Sequence, residues 1–103
     1  MALKFTTADN DSNELVLTLS GQLDALSAPE ILATIDTLIE EKHMMIVVDM
    51  AEVDLIDSSG VAVLVALYKR SRGIGGKMRV TGAKDQPLAI FKLMNMKKVF
   101  QIS

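Results

Sequence analysis

Met44 to Met50 reads Met-Met-Ile-Val-Val-Asp-Met, an almost unbroken apolar run with one carboxylate near its end. It falls well short of the ~20 residues that cross a bilayer. A run of this kind belongs in an interior strand covered on both faces, the situation of a parallel sheet. Parallel neighbours need crossover connections, so helices are expected on either side of it in the chain. This feature points to an α/β domain with Met44–Met50 as the central strand.

The flanking sequence supplies those elements. Leu3–Thr7 and Glu14–Ser20 read as strands separated by the turn-forming cluster Asp9-Asn10-Asp11-Ser12-Asn13, which suggests an opening antiparallel pair. Leu15, Leu17 and Leu19 share one face. Gly21 is expected to begin a loop through Leu26. Ser27 and Glu30 then have capping-box spacing, with Pro29 in the first turn. Ile31, Leu32, Ile35, Leu38 and Ile39 form an apolar stripe at helical spacing. After the central strand, the acidic connector Ala51–Asp57 leads to a second helix that begins at Ser58 or Ser59. Lys69, Arg70 and Arg72 before Gly73 mark its basic last turn. Met78 and Val80 alternate with polar residues in a half-exposed strand. Asp85-Gln86-Pro87 opens a third helix to about Met94, and Val99–Ile102 is expected to supply a last short strand. The expected fold is therefore a single α/β domain over residues 1–103, a mixed, mostly parallel sheet of four to five strands with about three helices.

Composition removes several classes of function. There is no cysteine, which excludes disulfides, thiolate metal sites and a cysteine nucleophile. The formal net charge of −2 gives no indication of a nucleic-acid surface. No transmembrane or secretory segment is visible, so a cytoplasmic protein without a membrane partner is expected. Gly73–Lys77 follows a helix and precedes a strand, the reverse of a phosphate-binding loop. His43 is the only histidine and is expected to serve as a surface cap beside Glu40-Glu41-Lys42. Asp49, Glu52, Asp54 and Asp57 read as solvated carboxylates rather than a magnesium cluster, so no metal and no cofactor is expected.

The junction Asp57-Ser58-Ser59-Gly60 is where chemistry is most concentrated. A buried strand there hands over to a buried helix through small polar residues. A serine at that point can cap the helix. It is also well placed to hold a phosphate, because free N–H groups and the positive end of the helix dipole face it.

Asp57-Ser58-Ser59-Gly60, with the acidic connector before it, Gly21-Gln22-Leu23-Asp24 and Gly75-Gly76-Lys77-Met78, resembles the STAS domain of bacterial anti-sigma-factor antagonists. The resemblance runs over nearly the whole chain. It implies that Ser58, directly after the aspartate, accepts phosphate, and that Asp24, Asp54, Asp57, Ser59 and Gly60 form the surrounding recognition surface. It further implies a partner-switching cycle without enzymatic activity in this chain. An anti-sigma factor that is also a serine kinase would bind the unphosphorylated form, and a metal-dependent serine phosphatase would restore it. The same fold also serves as a subunit of lipid-transport ATPases and as a scaffold in stress-sensing complexes. Two departures stand out: Val61-Ala62 follows Gly60 where Leu-Gly is common, and the chain ends without a further helix. The second raises the expectation of an exposed apolar flank near Phe100 and Ile102, compatible with a monomer or weak dimer.

The switch has a simple electrostatic basis. Phosphorylation adds nearly two negative charges at pH 7. Against one partner carboxylate ~6 Å away, at an effective dielectric of ~20, the repulsion is roughly 5 kcal/mol before screening. A hundredfold loss of affinity needs only about 2.7 kcal/mol.

Overall fold

The computed structural model describes residues 3–10, 12–34, 37, 39 and 43–102. Its elements follow in the order β1 (Lys4–Asp9), β2 (Glu14–Leu23), α1 (Ala28–Leu32), β3 (Met45–Ile56), α2 (Ser58–Gly73), β4 (Lys77–Thr81) and α3 (Asp85–Leu93). The four strands lie in the order β1-β2-β3-β4. β1 and β2 are antiparallel, whereas β2–β3 and β3–β4 are parallel. The sheet is mixed, as the sequence reading expects.

The β1–β2 turn is built by local side-chain chemistry. Asn10 Oδ1 accepts the N–H groups of Ser12 (2.9 Å) and Glu14 (3.1 Å), and Asn13 takes a left-handed conformation with φ of 60°. Asparagine tolerates both roles better than most residues. Beyond the turn, Leu15, Leu17, Leu19 and Leu23 are buried on one face of β2. They meet Ile46, Val48 and Met50 of β3, Met78 and Val80 of β4, and the buried faces of the helices in one core.

Helices α1, α2 and α3 all bury their apolar residues in that single cluster, through Ile31, Leu64 and Phe91 among others. Val47 is buried but lies outside it, beside Val16 and Arg79 in register. The central strand is therefore not sandwiched between two helical layers.

Several expected boundaries move. β2 continues through Gly21 to Leu23, because a register shift at Gly21 lets the strand bend without ending. Glycine fits this bend: its φ is 100°. β3 likewise runs through the acidic connector to Ile56. Ile31 and Ile39 of the predicted helical stripe are buried and Leu32 is exposed, while Ile35 and Leu38 fall outside the described residues.

The expected fifth strand is absent among the described residues. Phe100 N–H donates to Met96 O (3.0 Å) and Ile102 N–H to Lys97 O (3.0 Å), so local turn bonds hold Val99–Ile102. One bond, from Val80 N–H to Phe100 O (2.9 Å), ties this turn to β4. Phe100 is fully buried, in edge-to-face contact with Phe91 (5.7 Å) and Tyr68 (6.5 Å). Phe100 is thus enclosed and Ile102 half-buried against the same core, while the neighbouring Val99 stays 40% exposed.

His43 also departs from expectation. It is buried at the entry to β3, its Nε2 2.8 Å from Asp9 Oδ1 at the end of β1. A polar ring is accommodated in the interior when a partner meets its nitrogen, as Asp9 does here.

Candidate functional site

The site forms where two strand ends and two helix starts converge. β2 ends at Leu23 and β3 at Ile56, paired in register. Asp57 N–H then donates to Leu23 O (3.3 Å), holding the turn into α2 against the end of β2.

Asp57, not Ser58 or Ser59, caps α2. Its backbone is extended, and its Oδ1 accepts Gly60 N–H at 3.0 Å. Its Oδ2 accepts Ala25 N–H at 3.1 Å, across a sequence separation of 32. One carboxylate therefore finishes the helix and clamps the β2–α1 loop to it. A carboxylate suits both tasks because each oxygen accepts separately and its charge faces the positive helix end.

That division of labour releases the serines. Ser58 is exposed in the first helical position, and its hydroxyl makes no hydrogen bond with any described residue. Ser59 is half-buried. Gly60, expected as part of a recognition surface, is buried beneath the chain. A Cβ on Gly60 would lie 2.2 Å from Leu23 O and 2.6 Å from Ile56 Cγ1, so only glycine permits this approach. Its contribution is to bring α2 against the strand ends.

Asp24 lies in the loop clamped by Asp57. Its Oδ1 accepts from Leu26 N–H (3.0 Å) and Ser27 N–H (3.2 Å), which curls the loop. The expected capping box of Ser27 and Glu30 does not form. Ser27 is buried, and its Oγ donates to Gln22 O (2.8 Å) and accepts from Asp24 N–H (3.0 Å). Loop closure outcompetes capping because the hydroxyl meets two buried backbone groups at once. Asp54 is exposed near the end of β3 and makes no hydrogen bond to the other site residues.

Two further residues that the sequence reading did not single out shape the site. Gln86 Oε1 accepts Ile56 N–H and its Nε2 donates to Ile56 O, both at 2.9 Å. Its amide replaces a missing strand beside the last residue of β3, since β4 pairs only as far as Asp49. Leu26 is 93% exposed at the tip of the clamped loop. A leucine inside a short polar loop was the only available signal. Asp57 thus holds the loop of Asp24 and Leu26 to the start of α2, while Ser58 lines a concavity of about 470 Å³ with Val61, Ala62, Val65, Lys69, Met94 and Met96 among others. Among the described residues no group of three or more His, Asp or Glu side chains could hold a metal.

The STAS domain family model matches residues 4–103. The chain belongs to the STAS domain family. Among STAS relatives, an anti-sigma-B factor antagonist of Listeria monocytogenes is 21% identical over 102 residues, spanning 99% of this chain and 90% of that protein. An anti-sigma factor antagonist from Mycobacterium paratuberculosis superimposes with a TM-score of 0.84 at 22% identity, covering 97% of this chain and 84% of the other. The phosphorylated form of the Bacillus cell fate determinant SpoIIAA superimposes at 0.74 with 19% identity, over 97% of this chain and 91% of SpoIIAA. The fold of this chain is the fold of these proteins. No described helix is long and apolar enough to cross a membrane.

Proposed function

We propose that this STAS domain is a cytoplasmic anti-sigma-factor antagonist, switched off by phosphorylation of Ser58. The observation that carries the reading is the free, exposed hydroxyl of Ser58 at the start of a 16-residue helix whose cap is already supplied by Asp57. Nothing in the fold has to break for that oxygen to be modified.

In this reading the chain is a substrate and a binding module rather than an enzyme. An anti-sigma factor with serine kinase activity docks on the surface around Asp24, Leu26, Asp54, Asp57 and Ser59 and supplies ATP and metal. A metal-dependent phosphatase reverses the modification. The relatives' description as anti-sigma factor antagonists, and the existence of SpoIIAA in a phosphorylated form, support this assignment over a transport or scaffold subunit.

Modification changes charge far more than structure. The first turn of α2 contains no acidic side chain of its own, so the helix end favours a phosphate. A docking carboxylate is repelled while the fold stays intact. Incubation with the cognate kinase and ATP, followed by mass spectrometry, tests the site. Ser58→Ala is expected to bind the kinase yet take no phosphate, and Ser58→Asp to bind about a hundredfold more weakly. Undiminished phosphate on Ser58→Ala would end the assignment. A large loss of circular dichroism on phosphorylation would refute the charge mechanism.

A further inference from the structure

The net charge of −2 conceals a strong segregation along the chain. Of the 11 Lys and Arg residues, nine follow Asp57, whereas of the 13 Asp and Glu residues only Asp85 does. The fold gathers part of this positive half into one band. Lys92, Lys97 and Lys98 line a shallow concavity of about 260 Å³ at the end of α3. Lys98 also lines a neighbouring one of about 220 Å³ with Arg72 and Lys77. All five cations are exposed, and among the described residues none forms an ion pair and no carboxylate lines either concavity.

Exposed apolar side chains neighbour the lysines in the chain, and Val99 lines the second concavity beside Lys98. Leu93 is 80% exposed, Met94 44% and Val99 40%, just where α3 ends and the chain turns. A patch that is both basic and apolar discriminates among polyanions. Phosphates of a nucleic acid would satisfy the lysines but offer little to Leu93. An anionic bilayer satisfies both, since lysine stems reach headgroups while apolar side chains enter the acyl boundary. The cations of the 92–98 segment are all lysine, point charges suited to a fluid surface rather than the planar fork of arginine.

We infer that the band formed by Lys92, Leu93, Met94, Lys97, Lys98 and Val99, with Arg72 and Lys77, docks this domain peripherally on membranes rich in anionic lipid headgroups. Arg72 lies in the last turn of α2, ~21 Å along its axis from Ser58, while at the other edge of the band Met94 lines a concavity of about 470 Å³ together with Ser58. The inference does not rest on the proposed switch.

Co-sedimentation of the full chain with phosphatidylcholine vesicles, with and without phosphatidylglycerol, tests it. Binding is expected only to the vesicles containing phosphatidylglycerol, weakening as salt rises. Each lysine at such a surface contributes roughly fivefold to partitioning, so the combined Lys92→Gln, Lys97→Gln and Lys98→Gln variant should bind about a hundredfold less. Leu93→Ser should lose about tenfold while keeping the charge. All four positions are exposed, and unchanged circular dichroism is the check that the variants fold. Equal binding to both vesicle types, or binding to neither, overturns the inference. So does full retention in Leu93→Ser, above all if duplex DNA competes, since that would mark a polyanion site rather than a bilayer.

Discussion

The two ends of α2 share one dipole yet solve opposite problems. At the N-terminal end, hydrogen bonds from Gly60 and Ala25 converge on one carboxylate, and Gly60 sits hard against Leu23. At the C-terminal end backbone bonds close the last turn, with Gly76 N–H and Ile74 N–H both donating to Ser71 O. There Ser71 Oγ is buried with no partner among the described residues, and Lys69 and Arg72 are exposed. The first end is fixed by side-chain hydrogen bonds and leaves Ser58 exposed, whereas the second carries basic side chains, with the Arg72 guanidinium 6.0 Å from the Tyr68 ring. The residue proposed for modification is therefore found beside the junction that side-chain hydrogen bonds hold in place.

Substitutions can break or sharpen this contrast. Gly60→Ala should have the largest effect on stability, about 3 kcal/mol, because its Cβ meets a backbone oxygen that cannot move without displacing β2. Urea unfolding measures it, and a loss below 1 kcal/mol would mean that the junction is softer than its geometry. Asp57→Ala removes the cap and the clamp together and should cost about 2 kcal/mol. Asp57→Asn, which retains one acceptor, should fall between Asp57→Ala and the parent.

At the other end the sign reverses. Ser71→Ala deletes an unsatisfied buried hydroxyl from a helix interior and should stabilise by roughly 1 kcal/mol, read as a higher midpoint in the same experiment. Destabilisation would reveal a partner for Oγ. The smallest stability change is expected of Ser58→Asp, within about 0.5 kcal/mol, as befits an exposed position at a favourable helix end. A thermal melt that drops by several degrees would show Ser58 to be structural after all.

Much of the fold was legible because it rests on local pattern. The alternation of Leu15, Leu17 and Leu19, the apolar run at Met44–Met50 and the basic stop at Arg72-Gly73 each declare an element through neighbours in sequence. The errors occurred where a local signal met a competing long-range one. Ser27 has the spacing of a cap but spends its hydroxyl on Gln22 and Asp24. Val99–Ile102 has strand composition, yet Phe100 gains more by stacking against Phe91 and Tyr68 inside a turn. His43 follows three charged residues but meets Asp9, 34 positions away, in the interior.

Of the site, the positions were readable and the division of roles was not. The order of residues alone determined that an acidic strand end would enter a helix through Asp57-Ser58-Ser59-Gly60, because apolar periodicity and small polar residues act within a few positions of one another. Only the tertiary structure decided that Asp57 takes the capping role and so frees Ser58, that Gln86 stands in for a strand, and that the lysines gather into one band. Those outcomes depend on which backbone groups are left unpaired once distant segments pack, and unpaired groups exist only after the chain has folded.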